Sequence, residues 1–321
     1  MKVVTFGECL FRFSSSKGER LSDAQKIDFY LGGSELNIAA NLKSLGVAAS
    51  WVSAIADGMT GDLIRERIAR LGVAVDFCQS IPNGRAGWYL LETGATPRPD
   101  VVFNRYASSL AEMKKFDFDW NKIFEGCELF HTSGIMAGLS KELTAEVKKS
   151  MQEAQKKKIL VSYDFNYRKN IWSIEDFVER QKDLLPLIDI LFCAESDLEL
   201  FFKKPVSGHD YSAIFNQTKL TYLVIGQRSA DESEYGIKVV SKDKVIESKK
   251  YKIQNLDRIG VGDSMAAGFM AGLLKTKDVE LACQWGSLAG AIKYGIQGDM
   301  ALIKEKELKD LLISGPKGII R

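Results

Sequence analysis

The chain is poor in the residues that build metal clusters and disulfide frameworks. Its five cysteines are odd in number and contain no CxxC pair, and only two histidines occur. Neither a disulfide scaffold nor a zinc cluster is therefore indicated. Unpaired cysteines are typical of a reducing compartment, so we expect a cytoplasmic location.

Long hydrophobic runs and an excess of one charge are also absent. The longest apolar stretch, residues 265–274, falls far short of the roughly twenty residues that cross a bilayer, and MKVVTFGE is too short for a signal-peptide core. Lys and Arg number 44 and Asp and Glu 42, a net charge of +2 that is too even for a non-specific nucleic-acid or anionic-membrane binder. We expect a globular protein whose partner is a small molecule, not nucleic acid or membrane.

Two common phosphate-binding signatures are missing as well. No GK dipeptide occurs, which excludes the GxxxxGK(S/T) loop of P-loop NTPases. The fingerprint GxGxxG also fails, because GVG at 260–262 continues with Asp263 and lies far from any amino-terminal βαβ unit. Any phosphate chemistry must use another arrangement.

Hydrophobic periodicity predicts strands that alternate with helices. The predicted strands are 2–6, 49–55, 128–133, 159–164, 188–193 and 220–225. The predicted helices are 36–45, 62–71, 141–155 and 177–185, with Ser34 as N-cap of the first, and the chain from Asp263 onward is largely helical. This alternation favours an α/β fold with a Rossmann-like, doubly wound and mostly parallel sheet.

Two segments interrupt the alternation, residues 10–31 and 84–106, and both have the pattern of β-hairpins; the second includes a turn at 93–97. We predict a small β-sheet lid from these segments, on a core formed by residues 1–9, 32–83 and 107–321. Ordinary surface hairpins are the open alternative.

The segment DRIGVGDSMAAG places glycines just before a helix whose predicted first residue is Asp263. Glycines let backbone amides converge, and with the helix dipole they can hold the charge of a transferring phosphoryl group. Asp263 beside them could take a proton from a hydroxyl. An N-cap without catalytic function is the alternative.

Two further segments carry candidate site residues. In SYDFNYRKNIW, an extended chain would place Asp164, Asn166 and Arg168 on one face, although a solvated strand end would show the same pattern. In LGGSELNIAANLKSLG, Gly32 and Gly33 allow close approach of a ligand, although a plain turn is the better explanation of these glycines in isolation.

The segments GGSELNIAANLKSLG and DRIGVGDSMAAG resemble the two signatures of the ribokinase-like (PfkB-type) carbohydrate kinases. The resemblance covers nearly the whole chain and is closest to the 2-keto-3-deoxygluconate kinases, because FGECLFRFS, FHTSGI, DFNYRKNIWS and AIKYGIQGDMAL are similar to segments of that subgroup. It implies a β-lid, ATP and Mg²⁺, phosphoryl transfer to a sugar acid, and a homodimer or higher homo-oligomer.

The resemblance also assigns residues. It places the catalytic base on Asp263 and the anion hole on Gly260, Val261 and Gly262. Sugar contacts fall on Gly33, Asn37, Tyr89, Arg105, Arg168 and Asp263, and nucleotide contacts on Gly226, Gly260, Gly262, Gly298 and Asp299. The arginines suit a substrate with a carboxylate, which a guanidinium pairs by charge-assisted hydrogen bonds.

The sequence departs from the family pattern after the predicted strand 188–193. The family's Asn-x-x-Glu, which organises Mg²⁺, aligns with AESD, so Glu195 or Asp197 would reach the metal through water. Phe103 and Asn104 also differ from related sequences, which keeps a kinase for a neutral ketose such as fructose, or for another aldonic acid, as an alternative. A non-catalytic sugar-binding protein is the second alternative.

Overall fold

The computed structural model describes residues 2–92, 100–105, 108–203 and 211–315. In chain order, the strands are β1 (Lys2–Phe6), β2 (Leu10–Ser14), β3 (Asp28–Gly32), β4 (Ala48–Val52), β5 (Ala54–Ala56), β6 (Gln79–Ile81), β7 (Gly87–Glu92), β8 (Asp100–Asn104), β9 (Leu129–Ser133), β10 (Leu160–Asp164), β11 (Ile190–Cys193), β12 (Tyr222–Arg228), β13 (Glu234–Val240), β14 (Val245–Glu247) and β15 (Tyr251–Lys252).

The helices lie between and after these strands. They are α1 (Ser34–Ser44), α2 (Gly58–Leu71), α3 (Trp120–Ile123), α4 (Gly134–Leu139), α5 (Lys141–Lys156), α6 (Ile174–Leu184), α7 (Glu195–Phe202), α8 (Ser212–Gln217), α9 (Val261–Thr276), α10 (Val279–Lys293) and α11 (Glu305–Ser314). In the parts of the chain described, no helix is long and apolar enough to cross a membrane.

A nine-stranded sheet of the described chain forms the centre of the protein. Its order is β14-β13-β12-β11-β10-β9-β1-β4, with β15 paired to β13. The strands from β12 to β4 are parallel, and β13, β14 and β15 join antiparallel. Fully buried strands such as β9 and β11 occupy the middle, as expected for a parallel sheet covered on both faces. The predicted α/β fold with a mostly parallel sheet is confirmed.

Two apolar cores lie on the two faces of this sheet. One contains Trp51 and Phe269 and is covered mainly by α1, α9 and α10. The other contains Phe130 and Phe177 and is covered mainly by α5 and α6. The helices are amphipathic or almost wholly buried, and the small residues of α9 allow it to pack closely against α10.

A separate four-stranded sheet, which we call the small sheet, has the order β3-β2-β7-β8. Its two hairpins, β2 with β3 and β7 with β8, are antiparallel, and β2 and β7 join them in parallel. The register places Tyr30, Arg12, Tyr89 and Phe103 side by side, so these side chains share one face. Its four strands come from the two segments that interrupt the α/β alternation; the predicted turn at 93–97 lies outside the described residues.

Several local predictions at the helix starts and strand ends are wrong. Ser34 is the first residue of α1 and its N-cap is Gly33, while α9 begins at Val261, so Asp263 is its third residue. Beyond Asp164 the chain is not extended, because Asn166 has a left-handed φ of 42°.

The acidic segment 226–236 is mostly strand. β12 continues to Arg228 and β13 begins at Glu234, so the connection is residues 229–233. This hairpin adds β13 to the sheet between β12 and the edge strand β14, which the sequence patterns did not indicate.

Candidate active site

The functional segments meet at the carboxyl edge of the main sheet. β10 ends there at Asp164, β11 leads into α7 at Glu195, and β12 runs to Arg228. The first turns of α1 and α9 meet, because Asn37 of α1 donates a hydrogen bond to Asp263 of α9. Ligands of parallel α/β sheets bind at this edge.

Asp263 is held by donors from α1 and does not cap its own helix. The Ser34 hydroxyl donates to Oδ1 at 2.6 Å, and the Asn37 amide donates to Oδ2 at 2.7 Å. Burial raises the pKa of Asp263 to about 6, although both hydrogen bonds oppose the rise. A carboxylate with this pKa is ionised at neutral pH and can accept a proton from a hydroxyl.

The pKa of Asp263 predicts the acid limb of the pH profile. If this carboxylate must be ionised, kcat/KM for the sugar should fall below about pH 6, not below 3.8, the ordinary value for Asp. Ser34→Ala should move the limb to higher pH, since the Ser34 hydroxyl lowers the pKa. Initial rates between pH 4.5 and 9 would measure both limbs, and identical limbs in the two proteins would contradict the assignment.

The backbone at the start of α9 turns tightly against the loop that carries Asp299. Gly260 has φ of 81°, a conformation that favours glycine, and any side chain there would collide with the Asp299 carbonyl. Both the backbone conformation and the lack of space therefore require glycine. A side chain at Gly262 would meet open space. First-turn amides lack intrahelical acceptors and carry the positive end of the helix dipole. Residues 260–263 can therefore hold an anion such as a phosphoryl group.

Gly33 is a second glycine that the backbone requires. Its φ is 139°, and a side chain would collide with the carbonyl oxygen of Glu8. A side chain at Gly32 would meet the Asp299 carboxylate and the Tyr89 hydroxyl. The glycine pair thus lets β3 pass into α1 in close contact with β1 and β7, and the contact of Gly33 with sugar stays a prediction.

Asp164 and Asp197 form an acidic pair beside Arg168. Burial raises the pKa of Asp164 well above its ordinary value, and the negative charges of Asp197 and Asp263 raise it further. Burial also raises the pKa of Asp197, while the exposed Arg168 opposes both increases. Two carboxylates that repel each other are suited to a divalent cation.

The described residues contain no cluster of three or more Asp, Glu, His or Cys side chains that could hold a metal. The two carboxylates of Asp164 and Asp197 still fit Mg²⁺, which commonly takes one or two carboxylates and keeps several waters. The sequence drew attention to Asp164 only as one of three polar groups after a strand.

Glu195, the other predicted metal residue, has different neighbours from Asp197. Its Oε1 accepts a hydrogen bond from the Tyr211 hydroxyl at 3.1 Å and lies 3.6 Å from Nζ of the buried Lys238. It also lines an open cleft of about 340 Å³ together with Gly226 and the 227–232 segment. The predicted nucleotide residue Gly226 therefore lies in a cleft next to α7.

Arg105 lies where the small sheet approaches β1. Its guanidinium lies over the Phe103 ring at 4.9 Å, and Nε lies 3.8 Å from Oε2 of the buried Glu8. Nε and Nη1 are buried and find no hydrogen-bond acceptor among the described residues. Burial lowers the pKa of Arg105, and the positive charge of Arg168 lowers it too. Arg168 is thus near enough for its charge to act on Arg105, and we call the two arginines the cationic pair; guanidinium groups bind carboxylates by charge-assisted hydrogen bonds.

Two buried acids of the site were missed by the sequence analysis. Glu8 follows β1 and accepts a hydrogen bond from the Ser108 hydroxyl. Glu35, in the first turn of α1, accepts one from Ser133, and burial raises its pKa to about 7. The sequence shows Glu35 only as the glutamate of GGSELN. An acid in the first turn of a helix is common and normally faces solvent, so nothing in the sequence indicated that Glu35 is buried.

Glu35→Gln should change how stability depends on pH. A carboxyl group with pKa 4.5 unfolded and about 7 folded stabilises the fold fully below pH 4.5, and that contribution is lost as pH rises through 7. The variant lacks this loss, so its free energy of unfolding relative to wild type should rise by about 2 kcal/mol from pH 5 to pH 8. Denaturant unfolding at both pH values tests this, with the exposed Glu66→Gln as control. An equal difference at both values would contradict it.

The resemblance assigned Tyr89 to the sugar and Asp299 to the nucleotide, and in the structure these two side chains are hydrogen-bonded to each other. The Tyr89 hydroxyl donates to Oδ2 of Asp299 at 2.5 Å, and Nη1 of Arg12 donates to Oδ1 at 2.8 Å. The Asp299 side chain is therefore directed at the small sheet. Arg12 is fully buried, and no sequence pattern singled it out.

The comparisons with known proteins agree with this architecture. A family model described as pfkB family carbohydrate kinase matches residues 1–306. The 2-dehydro-3-deoxygalactonokinase of Haloferax volcanii is 29% identical over 100% of this chain and 99% of its own, and the 2-dehydro-3-deoxygluconokinase of Bacillus subtilis is 26% identical over 96% and 94%. The crystal structure of 2-dehydro-3-deoxygluconokinase from Thermotoga maritima superposes with a TM-score of 0.91, at 30% identity and 98% coverage of both chains. The chain belongs to the pfkB family of carbohydrate kinases, and its fold is the ribokinase-like fold.

Proposed function

We propose that the protein phosphorylates 2-keto-3-deoxygluconate (2-dehydro-3-deoxygluconate) with ATP and forms 2-keto-3-deoxy-6-phosphogluconate. The observation that carries this proposal is the placement of Asp263 at the amino terminus of α9, held by Ser34 and Asn37. A proton acceptor and an anion-binding backbone are then within one helical turn of each other. Those are the two groups that phosphoryl transfer to a hydroxyl needs.

The acidic nature of the sugar is supported by the arginines. Arg105 has two buried N–H groups without acceptors, and Arg168 lies close enough to lower its pKa. A substrate carboxylate would satisfy those donors and neutralise the pair, whereas a neutral sugar would leave buried donors unpaired. The carboxylate of Glu8 lies 3.8 Å from Arg105, which is longer than a direct hydrogen bond, and Glu35 also acts on the charge of Arg105.

ATP and Mg²⁺ are the proposed cosubstrates. The cleft lined by Gly226 and residues 227–232 would take the nucleoside, and its phosphates would reach the amides of residues 260–263. Asp197 and Asp164 would hold Mg²⁺ through few direct bonds and several waters, with Glu195 at the edge of the nucleotide cleft. The metal would neutralise phosphate charge during transfer.

The protein's own groups account for the proton and the charge. Asp263 accepts the proton of the 6-hydroxyl as that oxygen forms its bond to the γ-phosphorus, and the bond from phosphorus to the β-phosphate oxygen breaks to release ADP. The amides at the start of α9 stabilise charge on the phosphoryl oxygens. Arg105 and Arg168 hold the far end of the acceptor, so its 6-hydroxyl stays in line.

2-Keto-3-deoxygalactonate is a second candidate, because the Haloferax volcanii relative is a 2-dehydro-3-deoxygalactonokinase at 29% identity. The two acids differ only in the configuration at C4, so the arginines would bind both. Fructose or another aldonic acid, and a sugar-binding protein without catalysis, remain the alternatives outside this class.

An ADP-release assay with Mg²⁺ and ATP tests the proposal. The acceptors would be 2-keto-3-deoxygluconate, 2-keto-3-deoxygalactonate, fructose, ribose and gluconate, each at several concentrations. Turnover of a 2-keto-3-deoxy acid well above the others supports the proposal, and the ratio of the two epimers assigns the substrate. Preferred turnover of a neutral sugar, or no turnover by folded protein, would overturn it.

The small sheet is proposed to act as a lid over the sugar, on the core of residues 1–9, 32–83 and 107–321. The face that bears Tyr89, Phe103 and the neighbouring Arg105 would cover the acceptor and exclude water. On the opposite face Val102 is exposed, while Phe13 and Phe29 are partly buried against the core, and a homodimer formed through this face would cover the apolar surface that is left open.

A further inference from the structure

A buried cluster of four charges joins the small sheet to the start of α9. Arg12 of β2 donates to Oδ2 of Asp257 at 2.6 Å and to Oδ1 of Asp299 at 2.8 Å. Lys293 of α10 donates to the carbonyl oxygens of Asp257 and Ile296 at 3.0 and 2.7 Å. The four charged side chains are at most 4% exposed and sum to zero. Nothing in the proposed chemistry uses Arg12 or Lys293.

Asp257 fixes the two loops that flank the anion-binding backbone. Its Oδ1 accepts from the amide of Ile259, one residue before Gly260, and its Oδ2 accepts from the amide of Gly298 at 3.0 Å. The carboxylate therefore ties residues 257–259 to residues 298–299. Arg12 completes its hydrogen bonding from the side of the small sheet.

Asp299 transmits the same link to the helix start. Its carbonyl lies against Gly260, whose left-handed conformation has no room for a side chain. Its carboxylate is shared between Arg12 and the Tyr89 hydroxyl, which both belong to the small sheet. A shift of β2 must therefore move Asp299, and Asp299 cannot move without displacing Gly260.

We propose that Arg12 is a positioning residue for phosphoryl transfer, which fixes the 260–263 amides relative to the face of the small sheet that covers the acceptor. This inference rests on the proposed function of those amides. A guanidinium can bridge two carboxylates with separate N–H groups in a fixed plane, whereas a lysine ammonium is a single point charge on a flexible stem. Arg12→Lys therefore keeps the charge of the cluster and loses its geometry.

The test compares Arg12→Lys with Arg20→Lys, a matched change in the same segment. Arg20 is 61% exposed and lies 3.7 Å from Glu92, so its replacement should leave kinetics unchanged. For Arg12→Lys we expect kcat to fall about 100-fold, as for a misplacement of about 1 Å at a reacting centre, with a much smaller change in either KM. Hydrogen exchange of the amides in 258–264 should lose protection, while β9 and β10 keep theirs.

Tyr89→Phe is the second variant, should Arg12→Lys not fold. It removes only the hydroxyl donor to Asp299, and we expect kcat to fall about tenfold, the value of one buried hydrogen bond. Unchanged kcat in the folded variants would overturn the proposal. So would a lower kcat without faster exchange at 258–264, because Arg12 would then act by another route.

The outcomes separate this inference from the proposed function. If wild-type protein phosphorylates a different sugar, the same variants are assayed with that sugar. If it phosphorylates none, the proposed function fails, and the exchange comparison alone decides whether Arg12 orders the start of α9. Protection equal to that of Arg20→Lys would then overturn the inference.

Discussion

Asp263→Asn should abolish phosphorylation, with kcat lower by about 10³- to 10⁴-fold, the upper part of the range for loss of a general base. The asparagine side chain has nearly the same shape and can still accept a hydrogen bond from Ser34 or Asn37, so the packing between α1 and α9 should survive. It cannot take a proton from the acceptor hydroxyl. Loss of turnover with retained sugar binding by calorimetry is the expected result.

The stability of Asp263→Asn should exclude unfolding as the cause. Folding raises the pKa of Asp263 from 3.8 to about 6, so its contribution to stability is present below pH 3.8 and lost as pH rises through 6. At pH 8 the wild-type protein buries an unfavourable charge that the variant lacks. The variant should therefore melt at or above the wild-type temperature at that pH.

Asp278→Asn is the matched control. Asp278 caps the amino terminus of α10 by accepting from the amides of Glu280 and Leu281, and asparagine is an equally good N-cap. Its activity should equal that of wild type. Residual turnover of Asp263→Asn within tenfold of wild type would remove the base assignment, and absence of turnover in the wild type with retained binding would favour the non-catalytic alternative.

The parts of the fold that the sequence predicted are those governed by local pattern. Segments such as 159–164 and 141–155 differ by one residue from β10 and α5, because buried parallel strands are short apolar runs and surface helices repeat every 3.6 residues. β13 was missed, because EYGIKVV includes the charged Lys238, which is buried through contacts with Tyr211 and two glutamates. No local pattern announces those partners.

The site shows the same division between local and long-range information. The position of Asp263 follows from glycines directly before a helix, a feature within one short segment. Arg12 looks like an ordinary strand residue in ECLFRFS, and its partners Asp257 and Asp299 lie 245 and 287 positions away. Its place between apolar Phe11 and Phe13 agrees with strand alternation, which does not reveal that the face it shares is buried.

The conformation of Asn166 explains why the prediction of an extended chain over residues 164–168 is wrong. Asp164 and Arg168 do lie close, but not because an extended chain alternates. The left-handed turn at Asn166 folds the chain back, and the Asn166 amide donates to Oδ1 of Asp164 at 2.9 Å. Asparagine tolerates this conformation better than most residues, and the sequence carries no other signal for it.

Arg105→Ala should convert the preference for an acidic sugar into near indifference. The guanidinium offers buried N–H groups without acceptors, and a charge-assisted pair in a buried setting contributes several kcal/mol to binding. We expect kcat/KM for the 2-keto-3-deoxy acid to fall by about 10²- to 10³-fold. The value for fructose, which has no carboxylate, should change far less.

The charge of Glu8 also affects how strongly the substrate carboxylate binds in the Arg105→Ala variant. Burial raises the pKa of Glu8, and Arg105 opposes that rise. Loss of Arg105 therefore favours the neutral acid, and any negative charge that Glu8 retains would repel the substrate carboxylate. Arg105→Ala with Glu8→Gln removes that charge and should recover part of the activity toward the acid. Arg168→Ala, on an exposed side chain, should show the same selectivity change at smaller size.

Arg65→Ala is the control for these variants. Arg65 lies on α2, and its guanidinium donates a solvent-exposed hydrogen bond to the Ser80 hydroxyl. Steady-state kinetics with the acid and with fructose as acceptors give the ratio that decides. Equal losses for both acceptors would mean that Arg105 supports the fold of the small sheet and not carboxylate recognition. A loss confined to the acid would assign the cationic pair to the substrate carboxylate, since Asp263 and the α9 amides are proposed to act on the other end of the sugar.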